Sequence, residues 1–191
     1  MMKNLKPIIF LFAICIFTAC KDNKKVEEVT EVEEVVEGTE KKMDMSISLS
    51  PKSDSTVEGT VSFSQSDGVV NMTANMTGLT EGTHAIHIHQ KADCSSADGK
   101  STGGHWNPTA QPHGKWGDET GYHKGDIGNF EVAADGIGTV TFATDQWCIG
   151  CGDDTKDIMG KAIIVHQGTD NFTSQPSGAA GARVSCAGII E

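Results

Sequence analysis

Seven histidines punctuate the chain, at positions 84, 87, 89, 105, 113, 123 and 166, and their spacing suits metal ligation. In His87-Ile88-His89 two imidazoles stand two residues apart; on a β-strand such residues face the same side, so both can address one ion. His166 closes a second strand-like run, Ala162-Ile163-Ile164-Val165, and can join them from elsewhere in the sheet. Three imidazoles suit copper or zinc. Between these two places, His105, His113, His123 and Asp126 offer three nitrogens and one carboxylate, a complete tetrahedral set for zinc. One histidine doing double duty would finish a four-nitrogen copper site. A single histidine is usually a hydrogen-bonded residue of core or surface; six at these positions are better explained by metal.

The elements that must hold these donors read as β-strands. Met45, Ile47 and Leu49 alternate with serines, and Val70, Met72, Ala74 and Met76 alternate with Asn and Thr, the period of half-buried strands. Further strands are expected at 56–64, 83–89, 128–133, 137–144, 161–167 and 182–190. Turn signals such as Ser66-Asp67-Gly68, Ala134-Asp135-Gly136 and Gly121 separate them. With 22 glycines and few aromatics, the composition suits such a turn-rich β domain better than a helical bundle. The stretches 90–127 and 168–182 lack alternation, and loops of that length in a compact domain usually carry function.

Charge and the N-terminus bound the partners. The net charge is −11, with no basic block beyond a few lysines near residue 21, which excludes a nucleic-acid surface built on clustered Lys and Arg. Residues 1–19 have the layout of an export signal: Lys3 and Lys6, an apolar run from Ile8 to Phe17, then small residues. That run is too short to span a bilayer. Thr18-Ala19-Cys20 resembles a bacterial lipobox, which implies cleavage before Cys20 and its lipidation; Cys15 would leave with the signal. From 20 to 42 follows an acidic tether, with Glu27, Glu28, Glu31, Glu33, Glu34, Glu37 and Glu40 among valines and lysines, too charged to bury a core. The expected organisation is thus signal 1–19, lipidated Cys20 and tether 20–42, and domain 43–191. It places the protein in the periplasm or outer envelope, touching membrane only through the N-terminal lipid.

Five segments together resemble the copper–zinc superoxide dismutase family. They are Gly82-Thr83-His84-Ala85-Ile86-His87-Ile88-His89, Gly104-His105-Trp106-Asn107-Pro108 with His113-Gly114, His123-Lys124-Gly125-Asp126-Ile127-Gly128-Asn129, Val165-His166, and Gly181-Ala182-Arg183-Val184-Ser185-Cys186. The resemblance implies an all-β fold, an eight-stranded antiparallel Greek-key β-barrel or flattened sandwich with its metal site on long loops. It assigns copper to His87, His89, His105 and His166, and zinc to His105, His113, His123 and Asp126, with His105 bridging the two. It makes Asp170 the carboxylate that hydrogen-bonds one histidine of each metal, and His84 a structural histidine behind the copper ligands. The implied reaction converts superoxide to oxygen and hydrogen peroxide on one copper and one zinc per subunit, His105 delivering a proton. Pairing of two copies into a homodimer is left open.

Arg183 is the only arginine. A planar, permanently charged donor fork suits a small anion, and the resemblance puts Arg183 at the mouth of the copper channel, guiding superoxide. Lys115 and Lys124 are further candidates for positive potential, because 171–182 lacks the charged cluster of the family's eukaryotic members. The resemblance also pairs Cys94 with Cys186, a bond that export permits. Cys148 and Cys151 have no counterpart in it; a local disulfide, a redox-active pair or a contribution to metal binding all fit a CxxC. A copper-storage protein on the same barrel is the alternative function, and would need neither Arg183 nor a bridging His105.

Overall fold

The computed structural model describes residues 43–190, so the signal, Cys20 and the tether lie outside the described residues. Among the described residues eight strands appear in chain order: β1 (Met43–Pro51), β2 (Glu58–Ser66), β3 (Val69–Thr77), β4 (Gly82–His89), β5 (Gly128–Val132), β6 (Gly138–Thr144), β7 (Ala162–His166) and β8 (Arg183–Gly188). All pairings are antiparallel, in the spatial order β5-β4-β7-β8-β1-β2-β3-β6. Strands β5 and β6 stand at the two ends of that order yet follow one another in the chain and approach in space, so the sheet curls into a nearly closed barrel. Each expected strand is present, with ends shifted by a residue or two.

Burial explains why some strands alternate and others do not. On β1, β2 and β3, Ile47, Leu49, Val61, Phe63, Val70, Met72, Ala74 and Met76 point into the core while serines, threonines and asparagines meet water. From His84 to the end of β4, and throughout β7, every residue is buried. Ile86, Ile88, Ile163 and Val165 enter the core, and the opposite faces lie under the two long loops. Those covered faces carry His87, His89 and His166.

The loops are pinned as well as draped. The Cys94–Cys186 disulfide forms as the resemblance implies, with a Cα–Cα distance of 5.9 Å across 92 residues. Closing a loop of that length stabilises the fold by about 4–5 kcal/mol in the chain-entropy account. Cys148 and Cys151 are bonded to each other in a local disulfide.

Candidate metal centre

Strand pairing sets the first group of donors. β4 aligns with β7 so that His87 faces Ile164 and Ile86 faces Val165, and His166, where the β7–β8 register shifts, ends β7 near both β4 histidines. Ring centroids of His166 lie 4.9 Å from His87 and 5.5 Å from His89. The next segment docks along the end of β4: Gln90 N donates to Gly104 O at 3.0 Å and Trp106 N to Ile88 O at 2.8 Å. That bridge delivers His105 to 4.0 Å from the His87 ring and 5.0 Å from His89. Gly125 completes the junction, its N donating to Trp106 O at 3.0 Å and its carbonyl accepting from Ile88 N at 2.9 Å. A side chain at Gly125 would overlap the Ile88 carbonyl.

Asp126 organises the second group. Its Oδ1 lies 2.8 Å from His105 Nδ1 and 3.2 Å from His123 Nδ1, and its Oδ2 lies 2.9 Å from His113 Nδ1. Backbone donors from His123 (2.8 Å) and Gly114 (3.2 Å) hold Oδ2 in place. Asp170 joins the groups: His87 Nε2 donates to Oδ2 and His113 Nε2 to Oδ1, each at 2.9 Å. Asn129 fixes Asp170 in turn through two backbone bonds of 2.8 Å, and Gln175 clasps both the N and the O of His113 at 2.9 Å. Gly178 packs against Asp170 so closely that a Cβ would overlap the carboxylate, and its φ of +67° also favours glycine.

Hydrogen bonding leaves the nitrogens that a metal would need. With Nε2 of His87 committed to Asp170 and Nδ1 of His89 to Gly103 O at 3.0 Å, the opposite nitrogens carry bare lone pairs. Nδ1 of His87, Nε2 of His89 and His105, and both ring nitrogens of His166 are buried without a hydrogen-bond partner, while Nδ1 of His113 and of His123 have only the Asp126 carboxylate that they face. Unmatched buried polar atoms cost about 1–3 kcal/mol each, so such a convergence calls for a shared cation. In each set, His87/His89/His105/His166 and His105/His113/His123/Asp126, one donor atom per residue lies within 4.8 Å of every other. The residues therefore fit a four-imidazole ion such as copper beside a three-imidazole, one-carboxylate ion such as zinc.

Electrostatics divide the two sets. Burial holds His87, His89 and His166 below the ordinary imidazole range and His105 down to about 4, so all four are neutral ligands at pH 7. Burial also opposes charge on His113, but its bonds to Asp126 and Asp170 outweigh that and raise it to about 9. Neutral His113 would aim a lone pair at a carboxylate; a proton or a cation relieves that repulsion. Against the desolvation that burial imposes, the surrounding histidines hold Asp126 and Asp170 well below the usual carboxylate range.

A cavity of about 550 Å³ opens over the first set, lined by His89, His105 and His166 together with Arg183, Lys100 and Asp98. Arg183 Nη1 donates to Gly99 O at 2.9 Å and Thr102 Oγ1 at 3.0 Å, while Nε and Nη2 make no hydrogen bond among the described residues. The guanidinium is thus braced at one nitrogen and keeps donors free. Lys115 and Lys124 are not among the lining residues, and Lys124 Nζ binds Gln146 instead. The second cation here is Lys100, on a 3-10 turn (Lys100–Thr102) and paired with Asp98 at 3.0 Å. His84 lies apart from both sets, held by the carbonyls of His166 and Thr80 at 2.9 Å each, as a structural histidine would be.

An antiparallel barrel bearing two adjacent histidine-rich ion sites that share one imidazole defines a class of dinuclear metalloproteins. The family model for copper/zinc superoxide dismutase matches residues 57–189. The chain belongs to the copper/zinc superoxide dismutase family. Among solved structures it resembles a double mutant of a SOD-like protein from Bacillus subtilis, with a TM-score of 0.68 and 30% identity over 76% of this chain and 97% of that one.

Proposed function

We propose that this chain dismutates superoxide, 2 O2•− + 2 H+ → O2 + H2O2, in the envelope of a bacterium, anchored through a lipid on Cys20. When bound, copper supplies the one-electron couple, and zinc, which has no redox chemistry, supplies fixed charge. The observation that carries the reading is His105: Nδ1 is held by Asp126 within the zinc-type set, while Nε2 is buried and unmatched beside His87 and His89. A ring so placed holds a proton at Nε2 in one state and releases it in the other, next to the anion's approach. Arg183 supports the same reading, since its free donors line the cavity and orient a small anion by charge-assisted hydrogen bonds. Asp170 orients His87 and His113 and fixes which nitrogen each presents.

The test is superoxide consumption by the protein loaded with about one copper and one zinc, read with metal content and with His105→Ala alongside. Fast turnover that needs copper and falls in His105→Ala supports the enzyme. Full metal loading without turnover refutes it and leaves a copper-storage protein. Membrane partitioning that is lost in Cys20→Ser tests the anchor.

A further inference from the structure

The CxxC pair lies outside the metal centre, and nothing in the proposed reaction uses it. On the connection between β6 and β7, residues 147–149 run parallel to 156–158: Cys148 N donates to Lys156 O at 2.8 Å and Ile158 N to Cys148 O at 3.1 Å. This sets Asp157 beside Cys148. The Asp157 carboxylate is then drawn into the turn, Oδ1 accepting from Gly150 N (2.9 Å) and Met159 N (3.0 Å) and Oδ2 from Gly152 N (2.8 Å). One donor atom from each of Cys148, Cys151 and Asp157 lies within 4.8 Å of the others. Cys148 is buried and Cys151 exposed, and Cys151 Sγ accepts the Asp153 N–H at 3.5 Å. Around Gly150 and Gly152 the space is open, so a reagent or an ion can approach.

We infer that this loop is a second metal site, closed by its own disulfide, in which Cys148 and Cys151 bind one thiophilic cation of the Cu(I) type after reduction while Asp157, bonded to the backbone of the turn, holds the two sulfurs in place. The opening step needs an external dithiol. One thiolate of the dithiol attacks Sγ of exposed Cys151, breaking the Cys148–Cys151 bond and releasing Cys148 as a thiolate. The second thiol resolves the mixed disulfide, freeing Cys151 and leaving the reductant as a cyclic disulfide. Two electrons pass to the protein, and the two protons of the dithiol end on the cysteines and leave to solvent when a cation binds both sulfurs as thiolates. Two thiolates select a soft, low-coordinate ion, whereas the histidine centre offers only imidazole and carboxylate. The loop also abuts that centre: Trp147 Nε1 donates at 2.8 Å to the carbonyl of Lys124, the residue after His123.

The experiment uses the full chain with its histidine centre filled. It is treated anaerobically with dithiothreitol, desalted, alkylated in one aliquot to locate thiols by mass, and titrated in another with Cu(I) delivered from a bicinchoninate complex. The Cys151→Ser chain is carried through identical steps, so that Cu(I) taken by the histidine centre subtracts out. The expected result is two thiols at Cys148 and Cys151 with Cys94–Cys186 intact. Reduced protein should then bind one additional Cu(I) per chain, the oxidised protein and Cys151→Ser none, and Asp157→Asn should bind about tenfold more weakly. Thiols at Cys148 and Cys151 without added Cu(I) uptake overturn the inference, as does a pair that stays closed while Cys94–Cys186 opens. Neither reading depends on dismutase activity.

Discussion

Three of the four imidazoles on the copper-type side stand on β4 and β7, strands buried on both faces, whereas His105, His113 and His123 of the zinc-type side come from the 90–127 loop and Asp126 from its end. Ladder hydrogen bonds fix the first set, and a carboxylate fixes the second. The copper-type imidazoles are neutral because burial refuses them a proton, while His113 keeps one because two carboxylates face it. A strand-built site is therefore preformed for its ion. A loop-built site must exchange a proton for a cation.

That contrast can be broken most forcefully at Asp126. Asp126→Ala should lower zinc affinity by more than about 100-fold, since it removes a ligand and its anchoring bonds, while copper affinity changes by less than about tenfold. Equal loss of both metals in competitive titration would mean the strand-held set is not self-sufficient. Asp170→Asn reaches both sides and should weaken both metals by about 10–100-fold, a loss shared between sites that Asp126→Ala does not produce. Arg183→Ala touches neither set: metal content should stay whole while kcat/KM falls by about tenfold or more, the worth of one charge-assisted hydrogen bond.

Protons give a subtler measure of the same contrast. Zinc uptake by the metal-free protein at pH 7 should release about one proton from His113, falling through about half a proton near pH 9 and vanishing well above it, whereas copper binding to His87, His89 and His166 should release almost none. Calorimetry in buffers of different ionisation enthalpy reads the difference. The pKa of His105, lowered to about 4 in the fold, acts on stability. Between its ordinary 6.5 and about 4 the unfolded chain binds the proton that the folded chain refuses, so the metal-free protein loses stability as pH falls through that window. The smallest effect belongs to Lys100→Gln. It should slow turnover by less than about threefold, and only at low salt, because Asp98 already pairs that exposed cation.

Much of this was legible in the sequence because strands announce themselves by period two. His87-Ile88-His89 and His166 lie instead on the unalternating apolar runs of β4 and β7, where the two-residue histidine spacing and the shortness of the runs carry the reading without fold knowledge. His105, His113, His123 and Asp126 were legible as a donor set, but only family resemblance supplied the sharing of His105. The rest depends on contacts between loops, which leave no periodic trace. Gln175 meets His113 across 62 residues, and Asn129 meets Asp170 across 41. Lys100 reaches the cavity from a 3-10 turn that no pattern marked, whereas Lys124, adjacent to a ligand in sequence, is drawn away to Gln146. Asn129 could have been suspected, as a polar residue ending the motif that begins at His123.

The Gln175 clasp has a consequence for how the loop breathes. His113 belongs to no strand, yet its amide donates to a side-chain carbonyl whose own amide returns a bond to the same residue. That proton is thereby sheltered from solvent deuterium as a ladder proton is, and it exchanges only when the 168–182 segment swings off the 90–127 segment. Its exchange rate is a clock for the parting of two loops that the barrel itself does not hold together.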